Sequence, residues 1–427
     1  MRSYASTVAL AASLVIGCAI WLGFGLGASA QDSTATATAI TQVFGDGQKL
    51  TALAIPYDKE IVKASLSPRR FMVQGRTVTR VYANIAAMTA DEGVDGQFVI
   101  VEMSPDDADA PLYVPGKGPG AAPTLKLTKA NAVQIAPIKV VGGGSIAPTG
   151  QVVSVGKVVN LVADDFRQLT FKDPKTGDKL NYNLFIPKEF DKSKSYPLVL
   201  FMHDAGATSA DPMTTLAQGL GAISFATPED QAKHPAFVLA PQYSAPVVDE
   251  NSQATSMLDT TVDLVEAITS QYGVDAGRIY ATGQSEGAMM SIAMDIKHPD
   301  LFAATFIVAG QWDPALVAPL AKEKLWIIVS QGDEKAYPGE NSITAALEKA
   351  GAKVERAVWD GRPSPAAFAD AVKKMKGAGA PINYVALQKG TGVPPGQTDD
   401  PGANHVNTWR IAYAIGGVRD WLFEPRK

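Results

Sequence analysis

Gly283-Gln284-Ser285-Glu286-Gly287 is the one G-x-S-x-G run in the chain. The apolar stretch Arg278-Ile279-Tyr280-Ala281 leads in and a helical pattern beginning with Ala288-Met289-Met290 leads out. Ser285 therefore falls on a strand–turn–helix corner, which holds a hydroxyl above the end of a sheet. A serine hydroxyl attacks a carbonyl carbon only when a base takes its proton, and the usual base is an imidazole. There are four histidines, His203, His234, His298 and His405. His298 ends a predicted helix, His234 precedes Pro235 in a loop, and His203 opens the turn His203-Asp204-Ala205-Gly206. By position and elimination the base is His405, behind the Gly/Pro/Asp-rich stretch 390–402 and ahead of a terminal helix predicted over 408–422. A carboxylate must then hold the imidazole tautomer and stabilise its cation. It is expected after the apolar run 325–329, in Gln331-Gly332-Asp333-Glu334-Lys335. Asp333 is the first candidate and Glu334 the alternative; Asp313, after the preceding strand, is an outside alternative. Charge developing on the attacked carbonyl oxygen needs main-chain N–H donors. Glu286, next to the serine, is one expected donor, and Ala205 is the other. Trp312 and Tyr337 are candidate walls of a substrate pocket, with plain core packing an equal reading for each.

The elements that must position these groups are legible in outline. The chain has 427 residues, 46% hydrophobic and 19% charged, enough apolar material for a large core. A formal net charge of -5 argues against a nucleic-acid partner. A single cysteine excludes a disulfide framework, and the scattered histidines give no metal-ligand spacing, so neither metal nor other cofactor is expected. At the N-terminus Arg2, an apolar run over 8–26 and Ala28-Ser29-Ala30 predict a signal peptide over 1–30. Cleavage would make the protein secreted or periplasmic, with no membrane span left. The alternative is lipid anchoring through Cys18, in Val15-Ile16-Gly17-Cys18. Residues 31–39, rich in Ser, Thr and Ala, are expected to form a flexible leader.

From 40 to 163 short β-like runs alternate with turn residues, which predicts a small antiparallel sandwich of immunoglobulin-like type. From 164 to 427 the rhythm changes. A hairpin comes first, and then strands at 197–202, 236–240, 278–281, 303–308, 325–329, 353–358 and 382–387. Helices are expected between them at 214–221, 256–272, 287–297, 343–350 and 365–376. Alternation of this kind means a mostly parallel sheet with helices on both faces. Only about one short helix fits between the strands at 303–308 and 325–329, which predicts an open cleft.

His203-Asp204-Ala205-Gly206 resembles the HGAG-type loop of α/β-hydrolase esterases. The elbow 281–290 resembles that of the bacterial "predicted peptidase" esterase group, which is related to polyhydroxybutyrate-depolymerase-like and feruloyl-esterase-like enzymes. Segments 231–242, 308–313 and 332–339 are similar to the same group, so the likeness spans roughly 165–425. Members can carry an N-terminal immunoglobulin-like domain. The resemblance implies an α/β hydrolase behind a small sandwich, acting as a serine esterase on a small-molecule or polymeric ester. Three departures stand out. Asp204 replaces a glycine, Glu286 replaces a small residue or Met, and 331–335 lacks the common H-G-x-x-D spacing. A serine peptidase of the same fold and a non-catalytic binding protein are the alternatives. The region before residue 164 is too short for the propeller of a prolyl-oligopeptidase, which counts against the first of these.

Overall fold

A computed structural model describes residues 36–116 and 121–427. The predicted signal peptide, Cys18 and most of the predicted leader lie outside the described residues. The described residues form one compact unit.

The first part is a seven-stranded sheet with two short ribbons. Its strands are β1 (Ala37–Phe44), β2 (Gly47–Ile61), β3 (Phe71–Val73), β4 (Val78–Asn84) and β5 (Gly96–Met103), joined later by two more. The ribbons are β6 (Tyr113–Val114) with β7 (Thr124–Leu125), and β9 (Ile138–Lys139) with β10 (Ser145–Ile146). With β8 (Asn131–Gln134) and β11 (Val152–Asn160), the sheet order is β3-β8-β11-β1-β2-β5-β4. Leu50, Leu53, Phe71, Val99 and Val101 are among the buried side chains of one cluster; Ile40, Ala52, Ala54, Tyr82 and Ile100 form another. Two expectations are corrected. β1 starts at Ala37, inside the stretch expected to be leader, because Ala37 and Ala39 are buried in the sheet. The sheet is also not wholly antiparallel, since β1 pairs with β11 in parallel. That pairing joins the two ends of the module, so no turn residue announces it.

The second part is a nine-stranded sheet. It opens with the hairpin β12 (Phe166–Lys172) and β13 (Lys179–Phe185). The remaining strands are β14 (Leu198–Met202), β15 (Phe237–Gln242), β16 (Ile279–Gln284), β17 (Ala304–Val308), β18 (Leu325–Ser330), β19 (Val354–Trp359) and β20 (Ile382–Leu387). The order is β12-β13-β15-β14-β16-β17-β18-β20-β19, antiparallel at the first two junctions and parallel from β15 onward. Every residue of β14, β15, β16, β17, β18 and β20 is buried. This is why those runs are apolar without alternation: helices cover both faces.

The helices are α1 (Met213–Ala217), α2 (Leu220–Ala226), α3 (Pro228–Lys233), α4 (Ser256–Tyr272), α5 (Glu286–Lys297), α6 (Ala336–Lys349), α7 (Pro365–Gly377), α8 (Pro401–Ala412) and α9 (Gly416–Leu422). The helix expected at 214–221 is two, broken at Gln218-Gly219. α6 starts seven residues earlier than expected. Pro338 lies in its first turn, where a missing N–H costs nothing. The terminal helix is likewise two, and the first begins well before 408. Between β17 and β18 the chain makes only a 3₁₀ turn, Ala318–Lys322.

Candidate active site

β16 delivers Ser285 and α5 carries the chain away. Ser285 has φ 52° and ψ -117°, one of four non-glycine residues with positive φ among those described. Backbone held there costs roughly 1–3 kcal/mol. Its amide donates to the Val308 carbonyl at 2.9 Å, which pins the corner to the neighbouring strand. The flanking glycines are needed for close approach. A Cβ on Gly283 would stand 2.3 Å from the Gly287 carbonyl, and one on Gly287 would stand 2.0 Å from the Met202 carbonyl oxygen.

His405 lies in the first turns of α8, not in the loop ahead of a helix. Asp400 caps that helix by accepting from the Ala403 amide at 2.7 Å, and Pro401 follows at its first position. The Nε2 of His405 lies 2.8 Å from Ser285 Oγ, and its Nδ1 lies 2.5 Å from Asp333 Oδ2. Trp409, one turn further on, packs edge-on to the imidazole with ring centroids 5.0 Å apart. Asp333 sits between β18 and α6 with its side chain only 3% exposed. Its other oxygen accepts from the amides of Lys335 at 3.0 Å and Ala336 at 2.9 Å. Burial alone would raise the Asp333 pKa. The hydrogen bond and charge of His405, with those two amides, outweigh it and hold the carboxyl below its ordinary range.

The alternatives lie elsewhere. Glu334 points into solvent. Asp313 is exposed and accepts from the Ala315 amide. His234 bonds Asp420 at 3.0 Å and stacks on Phe423, while His298 ends α5.

Ala205, itself exposed, opens the 3₁₀ turn Ala205–Ala207, separated from β14 by two residues. Glu286 is the first residue of α5, so its amide has no intrahelical acceptor. His203 is fully buried, and desolvation lowers its pKa despite the neighbouring Asp204. Its Nε2 accepts from the Tyr243 amide at 2.9 Å, so the proton is assigned to Nδ1, which donates to the Asp204 carbonyl at 2.7 Å. Trp312 is buried in the main core, which fits the packing reading; Tyr337 is half-buried against the same core.

Two residues beside these were not expected to matter through their side chains. Asn404 is buried; its Oδ1 accepts from Ser330 Oγ at 2.8 Å and its Nδ2 donates to Asp399 at 2.5 Å. A Cβ on Gly332 would lie 2.3 Å from it. Asn404 thus locks the strand end before Asp333 to the helix that carries His405. The Glu286 carboxylate accepts from the Val247 and Val248 amides at 2.6 and 3.3 Å. Burial raises its pKa, and those two amides only partly offset the rise. Its unusual side chain was the available signal. Among the described residues no group of three or more His, Cys, Asp or Glu is placed to hold a metal ion.

A mostly parallel sheet, a serine at a strained strand-to-helix corner and a His–Asp pair at the C-terminal ends of the strands define a class of hydrolase-like architecture. Comparison with known proteins is consistent with it. Residues 36–147 match the family model "Esterase Ig-like N-terminal domain". A solved structure described as a thermostable esterase superposes with a TM-score of 0.79 at 27% identity, covering 92% of this chain and 100% of that one. Acetylxylan esterase A of Talaromyces purpureogenus is 27% identical over 172 residues, 37% of this chain and 41% of that protein. Acetylxylan esterase A of Emericella nidulans is 38% identical over 74 residues, 16% of this chain and 24% of that protein. The chain thus spans about a quarter to two fifths of the length of these curated relatives. Its N-terminal part thus matches the immunoglobulin-like domain found in front of esterases, and the chain as a whole is similar in structure to a thermostable esterase.

Proposed function

We propose that this chain is an exported serine esterase, with residues 164–427 as an α/β-hydrolase module and 37–163 as its immunoglobulin-like partner. The observation that carries the reading is the hydrogen-bonded line from Asp333 through His405 to Ser285. In it, Ser285 Oγ attacks the ester carbonyl carbon while His405 Nε2 takes the hydroxyl proton. Asp333 keeps Nδ1 protonated and stabilises the imidazolium. The oxyanion accepts from the Ala205 and Glu286 amides. Collapse breaks the carbon–oxygen bond to the alcohol, which leaves with the proton from Nε2. Water then repeats the sequence on the acyl-enzyme, releasing the acid and restoring Ser285. No metal or cofactor is needed for any step.

The acetylxylan esterases among the relatives favour a short acyl group on a sugar polymer as the first substrate to try. Export rests on the signal-peptide pattern over 1–30. Among the described residues no helix is long and apolar enough to cross a membrane.

The test is turnover of p-nitrophenyl acetate and acetylated xylan by the wild type, Ser285→Ala and His405→Ala. Each variant should lose at least about a thousandfold in kcat. A fluorophosphonate should label the wild type and not Ser285→Ala. Wild-type turnover by Ser285→Ala would overturn the reading, and preferential cleavage of peptide amides would make the chain a peptidase instead.

A further inference from the structure

We infer that Asp204, the residue standing where related loops have glycine, is a positioning residue that fixes the oxyanion loop relative to the nucleophile. The inference rests on the serine esterase reading and names a part of that site. The hydrogen-bond ladder between β14 and β16 ends with the pair Met202 and Gly283. Beyond it the two chains diverge: β14 runs into the turn that holds Ala205, and β16 into Ser285. Those are the two chains from which the oxyanion donors come, so their separation sets the hole. The Asp204 carboxylate spans the gap. One oxygen accepts from the Gly206 amide at 2.8 Å, and the other accepts from Gln284 Nε2 at 2.9 Å.

Gln284 is only 1% exposed and directly precedes Ser285. Its side-chain amide also donates to Gln218 Oε1 at 3.2 Å, and Gln218 Nε2 donates to the Thr215 carbonyl at 3.3 Å. A continuous chain of bonds therefore runs from the end of α1 through the residue before the nucleophile to the oxyanion loop. Asp204 also decides which amide of that loop is free. It occupies the Gly206 N–H, leaving the Ala205 N–H for substrate. A Cβ on Gly206 would stand 2.8 Å from the Asp204 oxygen, so the cap requires that glycine. A carboxylate this close opposes charge on the oxyanion, but two N–H groups neutralise part of it. Its contribution is therefore geometric: hole donors must sit within a few tenths of an ångström of their productive place.

The test compares Asp204→Ala, Gln284→Met, the double variant and Asp204→Asn on p-nitrophenyl acetate, with Ser285→Ala in parallel. Asp204→Ala and Gln284→Met should each lower kcat about 10- to 100-fold, with KM changed little, and should slow fluorophosphonate labelling by a similar factor. The double variant should lose no more than either single one, because both cut the same link. Asp204→Asn should recover most of the loss, since its carbonyl still caps Gly206 and a rotated Gln284 amide can accept from its NH2. Unchanged kcat in Asp204→Ala, a loss confined to KM, or additive losses would overturn the inference. So would equal losses in Asp204→Ala and Asp204→Asn that follow a fall in Tm. Wild-type turnover by Ser285→Ala would overturn the esterase reading itself, whereas a dead Ser285→Ala beside an unimpaired Asp204→Ala would remove only the role given to Asp204.

Discussion

Asp333 and Glu334 are chemically alike and adjacent, and what separates them is where their oxygens can go. Asp333 Oδ1 takes the first amides of α6, which turns Oδ2 toward His405; Glu334 is left in solvent. Asp333→Asn should therefore lower kcat by about 10⁴ through the wrong imidazole tautomer, while Glu334→Gln stays near wild type. Equal effects of the two on ester turnover would show the assignment to be wrong. The sequence ranks Asp333 first and leaves Glu334 open, because the choice depends on where a helix begins that starts seven residues before its apolar pattern becomes visible. Ser285 could be singled out from its strand–turn–helix corner, and His405 from elimination among four histidines, although it lies inside α8 and not at a loop-to-helix boundary. Asn404 could not be: what gives it a role is the bond from Ser330, 74 positions away in the chain.

Glu340 supplies a second prediction at this scale. It is fully buried in α6; one oxygen accepts from the Gly310 amide at 2.9 Å, and the other has no partner among the described residues. Burial raises its pKa well above 4.5, the Gly310 amide offsets little of this, and the charge of Asp333 adds to the rise. The unfolded chain ionises this carboxyl above about pH 4.5 while the folded one keeps it protonated. Folding stability is thus eroded as pH rises from that value toward the folded pKa. Glu340→Gln has no such proton to lose. Its Tm relative to wild type should climb between pH 5 and pH 8, and a difference that stays flat in thermal scans across that range would contradict the buried neutral carboxyl.

Among the elements, α8 is the one on which most depends, and it begins seven residues before the helix expected at 408. The signal was present: Asp400 followed by Pro401 is an N-cap with proline at the first helical position. Gly402, Asn404 and Asn407 gave the next turns a loop-like composition and hid it. Those asparagines make buried bonds instead of turns; Asn407 donates to the Ala403 carbonyl at 2.8 Å. Asp400→Ala should cost about 1 kcal/mol of stability through the lost cap. It should also lower kcat, because the freed turn holds His405; Tm and ester turnover measured on one preparation would check both. By contrast α4 was read correctly over 256–272, since it is long, amphipathic and closed by Gly273 at φ 66°.

At the scale of the whole molecule the N-terminal seven-stranded sheet and the hydrolase-like part meet close to the site. The turn between β1 and β2 presses on α8, so that a Cβ on Gly45 would stand 2.1 Å from Cγ of Arg410 and 3.2 Å from its Cα. On the same turn, a Cβ on Gly47 would meet Tyr113 at 3.1 Å and the Ala217 carbonyl at 3.4 Å. Gly45→Val should therefore lower Tm and, by shifting the helix that carries His405, lower kcat as well. An unchanged kcat alongside a lower Tm would show that the junction is structural only. The change in rhythm near residue 164 is visible in the sequence, but the contact is not, because Gly45 meets a residue, Arg410, that is far away in the chain.

That junction has a practical consequence for protein engineering. In this chain the two modules are fitted to each other at that contact and are not free-standing cassettes. A chimaera that takes its front half from one parent and its back half from another will keep its activity only if the residues at 45 and 410 travel as a matched set.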